Sequence, residues 1–197
     1  MEFLPTTIYS ATLQNALFLG FDLARLAKCS AEYRSPFYCS NRHSVSVYSP
    51  RRITEPPAPQ HAEISTIPIH LRPTSAQVLI PHDACLDVIP IPYLRDRAIM
   101  LSAQMPQIYN LYELKVDIYT RGGLTVWRKA LPSSDPLEFG SRSFPPWDMG
   151  SWEASPWFIS KWSMALDGEN GDFAQQSLAW RALRDSQNLA TPTSTSC

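Results

Sequence analysis

Cys85-Leu86-Asp87-Val88-Ile89-Pro90-Ile91-Pro92 is the stretch on which the fold turns. It is apolar enough for a buried strand, yet Pro90 and Pro92 stand at alternate positions. Proline has no N–H to give to a ladder, so a central strand is excluded. Tyr93 to Gln104, which follows, reads as a helix with Leu94, Ala98 and Leu101 on one face. Upstream, Thr74 is placed to cap a short helix through Val78 and Leu79, closed by Pro81. The middle of the chain is therefore expected to be helices joined by an apolar, proline-cornered turn.

Outward from there the helical pattern continues. Residues 6–28 read as a first helix capped by Thr6 or Thr7, with Leu13, Leu17, Phe21 and Ala24 at helical spacing. Leu19, Leu23 and Leu26 widen that stripe, which implies burial on more than one side. Asn110 caps a further helix, with Glu113 at the capping-box position and Gly122-Gly123 as the stop. Ser155 and Pro156 open another helix, and a last one is expected from Asp172 to Arg184. Ser49 to Pro59 holds four prolines and little apolar material, so a loop or linker is expected there. The expected fold is mainly α: a single irregular helical domain with long proline-rich loops and a Trp-rich C-terminal helical section. Its parts are an N-terminal helical portion over 1–48, a proline-rich loop over 49–68, a main helical portion over 69–186 and a disordered tail over 187–197.

Composition removes several function classes. The 197 residues are 44 % hydrophobic and 18 % charged, with formal net charge −1. Nothing in that balance attracts a polyanion, and the longest basic cluster is Arg51-Arg52. Direct DNA contact is not expected, because phosphate neutralisation supplies most of such affinity. Cys29, Cys39, Cys85 and Cys197 form no CxxC pair and fit no zinc-finger spacing. With no signal-peptide pattern and no apolar run near the length of a membrane span, they are expected to be free thiols in an intracellular protein.

Candidate chemistry is thin. His82, Asp83 and Asp87 carry the ligand types of hydrolytic metal sites, and this is the sharpest enzymatic alternative; the structural reading has them capping and bracing turns. No nucleophile elbow and no phosphate-binding loop occurs, so no catalytic residue and no cofactor is expected. Arg95, near the Pro90/Pro92 corner, is either an anion site or a clamp on carbonyls or a carboxylate that need donors. All six tryptophans lie between Trp127 and Trp180. Trp147, Trp152, Trp157 and Trp162 are either core or, together with Arg95 and Asp87, the wall of a pocket or interface.

Those blocks also carry a family likeness. Leu71-Arg72-Pro73-Thr74 with Gln77, Pro81-His82, and Leu86 through Asp96 resemble a fungal domain of unknown function. So do Pro146-Trp147-Asp148, Trp152 to Ser155, Phe158 to Trp162 and Ala179 to Arg184, in the same order. That domain is found C-terminal to the basic leucine zipper of many fungal transcription regulators, and also alone. The resemblance implies a regulator or accessory in the nucleus or cytoplasm, tied to secondary-metabolite gene control through protein or small-molecule contacts. The departures are Cys85 where an aromatic is usual, Ile91 for Phe, Arg128 for Gly, and an inserted Lys129-to-Ser143 stretch. No basic region and no leucine heptad occurs in this sequence. It resembles a diverged, stand-alone copy; a biosynthetic-cluster enzyme and an inactive remnant are the alternatives.

Overall fold

Thr7 fixes where the first helix begins, its hydroxyl accepting from the Ser10 N–H at 3.1 Å. Helix α1 spans Ile8–Phe18 in a computed structural model that describes residues 3–27, 33–39, 66–129 and 144–190. The single helix expected over 6–28 is broken: Gly20 takes φ 69°, and a short α2 follows at Leu23–Ala27. The inward face of α1 is built of small residues, Ala11, Thr12, Asn15 and Ala16. Leu13 and Leu17, expected in the core, are 47 % and 58 % exposed instead. Asn15 fixes this choice of face, because its amide donates to the carbonyls of Val88 at 2.9 Å and Pro146 at 3.0 Å.

The centre follows its sequence closely. α3 (Ser75–Leu79) starts on a complete capping box, in which Thr74 accepts from Gln77 N–H and the Gln77 side chain accepts from Thr74 N–H. The apolar stretch after it is a turn and a 3-10 segment, Ala84–Leu86, and not a strand. α4 (Pro92–Gln104) begins on Pro92, whose fixed φ suits a first helical turn and whose missing N–H costs nothing there. α5 (Leu111–Tyr119) is capped by Asn110. Glu113 gives only half of the expected box, since its carboxylate reaches Lys161 Nζ at 2.5 Å rather than the cap.

α6 (Pro156–Lys161) starts at Ser155 as expected, but that hydroxyl makes no capping bond. α7 runs Asp172–Ala190, past the expected end at Arg184 and into the first residues of the expected tail. Residues 191–197 and 40–65, which carry the rest of that tail and most of the proline-rich loop, lie outside the described residues.

The mainly helical expectation omitted a small sheet. Strands β1 (Phe3–Thr6), β2 (Leu124–Lys129) and β3 (Trp152–Ala154) pair antiparallel in that order, with Pro5 opposite Trp127 and Val126 opposite Trp152. Pro5 is tolerated because β1 is an edge strand. Trp180 of α7 stacks on Trp127 at 5.6 Å and meets Phe3 edge-on at 5.2 Å, covering one side of the sheet. The main core runs from Ala11 to Ala174 around Leu94, Ile99, Ile118, Trp152, Phe158 and Phe173. A smaller cluster of Ala16, Phe21, Tyr33, Ala84 and Val88 lies under α2. No helix among the described residues is long and apolar enough to cross a membrane.

Candidate functional site, an apolar groove beside a buried charged network

Because α1 buries its small residues, its outward face is left with Tyr9 (59 % exposed) and Leu13. α5 behaves in the same way. Leu114, Asp117 and Ile118 point inward, which turns Tyr112, Lys115, Val116 and Tyr119 toward α1 and α2. Leu23 and Leu26 of α2, half-buried on the smaller cluster, form the third wall. The result is a groove of about 470 Å³ floored by Cys85 and Val88. Lys115 is the one charged residue lining it, at its edge. Tyr9 and Tyr119 meet across the groove with ring centroids 5.6 Å apart. A second cleft lies on the other side of Tyr112 and Lys115, lined also by Arg34, His82 and Asp83.

Beneath both clefts runs a chain of buried polar groups. Asp87 and Arg95 are fully buried, as is Gln77, which joins them. Gln77 donates to Asp87 Oδ1 at 2.5 Å and accepts from Arg95 Nε at 3.1 Å. The remaining Arg95 donors go to carbonyls: Nη1 to His70 and Ile89 at 2.6 and 2.7 Å, Nη2 to Arg72 at 2.8 Å. Of the two roles open to Arg95, the clamp on the proline corner is the one its bonds make. Burial pulls its pKa down to about 10, which leaves it charged at neutral pH.

His82 completes the network. Its Nε2 lies 2.8 Å from Asp87 Oδ1 and its Nδ1 2.8 Å from the Ile80 carbonyl oxygen. Both neighbours are acceptors, an arrangement that favours a proton on each ring nitrogen and so the imidazolium form. Burial pulls its pKa down. The hydrogen bond and charge of Asp87, the Ile80 carbonyl and the charge of Asp83 outweigh that, and the net shift is upward from 6.5. A second charged knot ties α5 to α6. Buried Asp117 accepts from Arg121 (2.9 Å), Lys161 (2.7 Å) and Trp162 Nε1 (2.9 Å). Burial pushes the Asp117 carboxyl up, but those donors hold it below its usual 3.8.

The residues named from sequence are thus distributed. Asp87 and Arg95 come together through Gln77, and His82 joins them. The tryptophans do not form one wall. Trp152 and Trp162 are buried, their indole N–H groups bonded to the Pro146 carbonyl (2.8 Å) and Asp117. Trp147 is half-buried against Phe18, and Trp157 lies 41 % exposed against Phe158. None of the four lines the groove.

The ligand set offered for a metal is engaged elsewhere. Both His82 nitrogens are bonded, and Asp83 accepts from Cys85 N–H through Oδ1 and from Lys115 through Oδ2. Among the described residues no group of three or more His, Cys, Asp or Glu side chains could hold a metal ion. Cys39 and Cys85 form no disulfide among the described residues. Of the groove residues, Tyr9, Tyr112 and Lys115 were not singled out from sequence, and Leu13 was read as core. The available signal was that Tyr9, Leu13 and Leu17 recur every four residues, opposite the small Ala11, Asn15 and Ala16.

A family model described as a domain of unknown function, DUF3425, matches residues 53–174. No curated protein and no solved structure matches the chain significantly.

Proposed function

The chain belongs to the family described as a domain of unknown function, DUF3425, and from that premise we propose a contact module that works by binding and not by catalysis. Its contact surface is the groove between α1, α2 and α5. One observation carries this reading: large apolar side chains are held open to solvent around a preformed concavity of about 470 Å³, within the size range of small-molecule sites. The titratable side chains that could support chemistry are instead consumed in structural bonds, as with His82, Asp83, Asp87 and Arg95. In the cell this module serves fungal gene control, as an accessory of secondary-metabolite regulation acting through a small molecule or a protein partner. It does not read DNA, in keeping with a formal net charge of −1.

A neutral apolar fluorophore, N-phenyl-1-naphthylamine, tests the groove directly. Saturable one-to-one binding is expected, lost in Leu13→Asp and Tyr112→Asp while the far-ultraviolet circular dichroism stays unchanged. Binding that ignores both substitutions removes the groove as the site. The regulatory role is tested by deleting the gene and profiling transcripts. Altered expression of a contiguous biosynthetic cluster is expected, and an unaltered profile under producing conditions contradicts the role.

A further inference from the structure

The groove is not uniform along its length. Leu23, Leu26 and Ala27 line its purely apolar part. It opens at Lys115 and Tyr112, which also line the adjoining cleft. Of the charged residues in that second cleft, Asp83 is the one acid, and both its oxygens are taken, by Cys85 N–H and by Lys115 Nζ. Asp87 is fully buried, with its Oδ1 engaged by His82 and Gln77, so it presents no exposed carboxylate to this cleft. Arg34 is exposed and makes no ion pair among the described residues. Lys115, 19 % exposed, uses one of its three donors on Asp83. The charge left unanswered at this mouth is therefore positive, and it adjoins an apolar slot.

We infer that the ligand is an amphiphilic anion, an apolar body in the α1/α2/α5 groove with a carboxylate directed at Arg34 and Lys115. Two features of the site point the same way. The apolar slot selects a hydrocarbon or aromatic body, and the adjoining cations supply charge-assisted donors with no competing free carboxylate among the described residues. The inference rests on the groove being a binding site and adds the chemical class of what it takes. It also assigns Lys115 a position at the junction, close enough to both clefts to read body and head together.

Competition against N-phenyl-1-naphthylamine separates the two levels. Dodecanoate, dodecanol and dodecylamine share a tail and differ in the head. At neutral pH dodecanoate is expected to displace the probe about ten-fold more tightly than dodecanol, as charge-assisted bonds allow, with dodecylamine weakest. Arg34→Gln is expected to bring dodecanoate to within about three-fold of dodecanol, consistent with a part-exposed ion pair, without changing affinity for the probe. Because Arg34 is exposed, this variant tests the head site without disturbing the core. Lys115→Gln should act in the same direction, and the dodecanoate preference should shrink as salt rises. Equal displacement by all three amphiphiles overturns the anion inference while leaving the groove intact. A probe that does not bind the wild-type chain at all overturns the groove as well.

Discussion

Removing the Asp87 carboxylate is the sharpest perturbation of the buried network. In Asp87→Ala, Gln77 Nε2 and His82 Nε2 lose an acceptor at 2.5 and 2.8 Å. Both side chains are buried, so each orphaned donor costs about 1–3 kcal/mol. The sum, centred near 4 kcal/mol, agrees with the roughly 3–5 kcal/mol lost when one partner of a buried ion pair is deleted. Against a typical domain stability of about 5–15 kcal/mol, that is a large fraction. Asp87→Asn separates charge from hydrogen bonding. With the amide oxygen in the place of Oδ1 it still accepts from both Gln77 and His82, while the negative charge is gone. The expected loss is about half that of the alanine variant.

The pH dependence gives a second readout of the same variants. The folded pKa of His82 is raised above 6.5, so its contribution to stability is fully present below about 6.5. It is lost as pH rises from there through the raised native value. Wild-type stability should therefore decline over that window, and Asp87→Asn should flatten the decline. Urea unfolding followed by tryptophan fluorescence between pH 5 and 9 measures both effects. An Asp87→Ala variant within about 1 kcal/mol of wild type, or an Asp87→Asn variant that keeps the wild-type slope, would refute the buried charged network.

Two further perturbations test how the scaffold is held. Gly123→Ala should cost about 1–3 kcal/mol, because a methyl there would overlap the Phe158 ring and the Asp117 carbonyl; thermal unfolding at full stability would count against this packing. The native pKa of Asp117 is held below its usual 3.8, so its contribution is present above that value and is lost as pH falls through the native one. Asp117→Asn should lower neutral-pH stability by about 1–2 kcal/mol, since Lys161 and Arg121 rehydrate at the surface, and should reduce the acid sensitivity of unfolding. Equal acid sensitivity in the two proteins would show that the α5–α6 knot does not form.

Local chemistry was legible where one residue decides the backbone. Thr7, Thr74 and Asn110 announce helix starts through side-chain acceptors, and all three make the bonds. Pro90 and Pro92 barred a strand and set the start of α4. The sheet was not legible, because β1 is four residues long, contains Pro5, and finds its partner far along the chain, at Val126 to Lys129. No short-range pattern encodes that pairing. Trp127 looked like part of a tryptophan cluster, whereas its neighbours across the sheet and above it are Pro5 and Trp180.

The groove was not legible for a related reason. Periodicity shows that α1 has an apolar stripe, but it does not say which side meets the core. Asn15 settles that through two carbonyls that belong to distant turns, around Val88 and Pro146. The small residues beside it go inward, and the leucines and Tyr9 are left facing solvent and the groove. For Arg95 the clamp was one of two readings open from sequence, since proline corners leave carbonyls in need of donors, and its bonds reach Ile89 beside that corner and the His70 and Arg72 carbonyls.

Mapping dodecanoate onto the isotope-labelled chain by amide and methyl chemical shifts puts the central claim to the most direct test. Saturable shifts are expected at Tyr9, Leu13, Leu26, Tyr112, Lys115 and Tyr119, with residues around Trp157 and the Trp127–Trp180 stack unmoved. Shifts spread over the surface, or gathered around Trp157 instead, would contradict it.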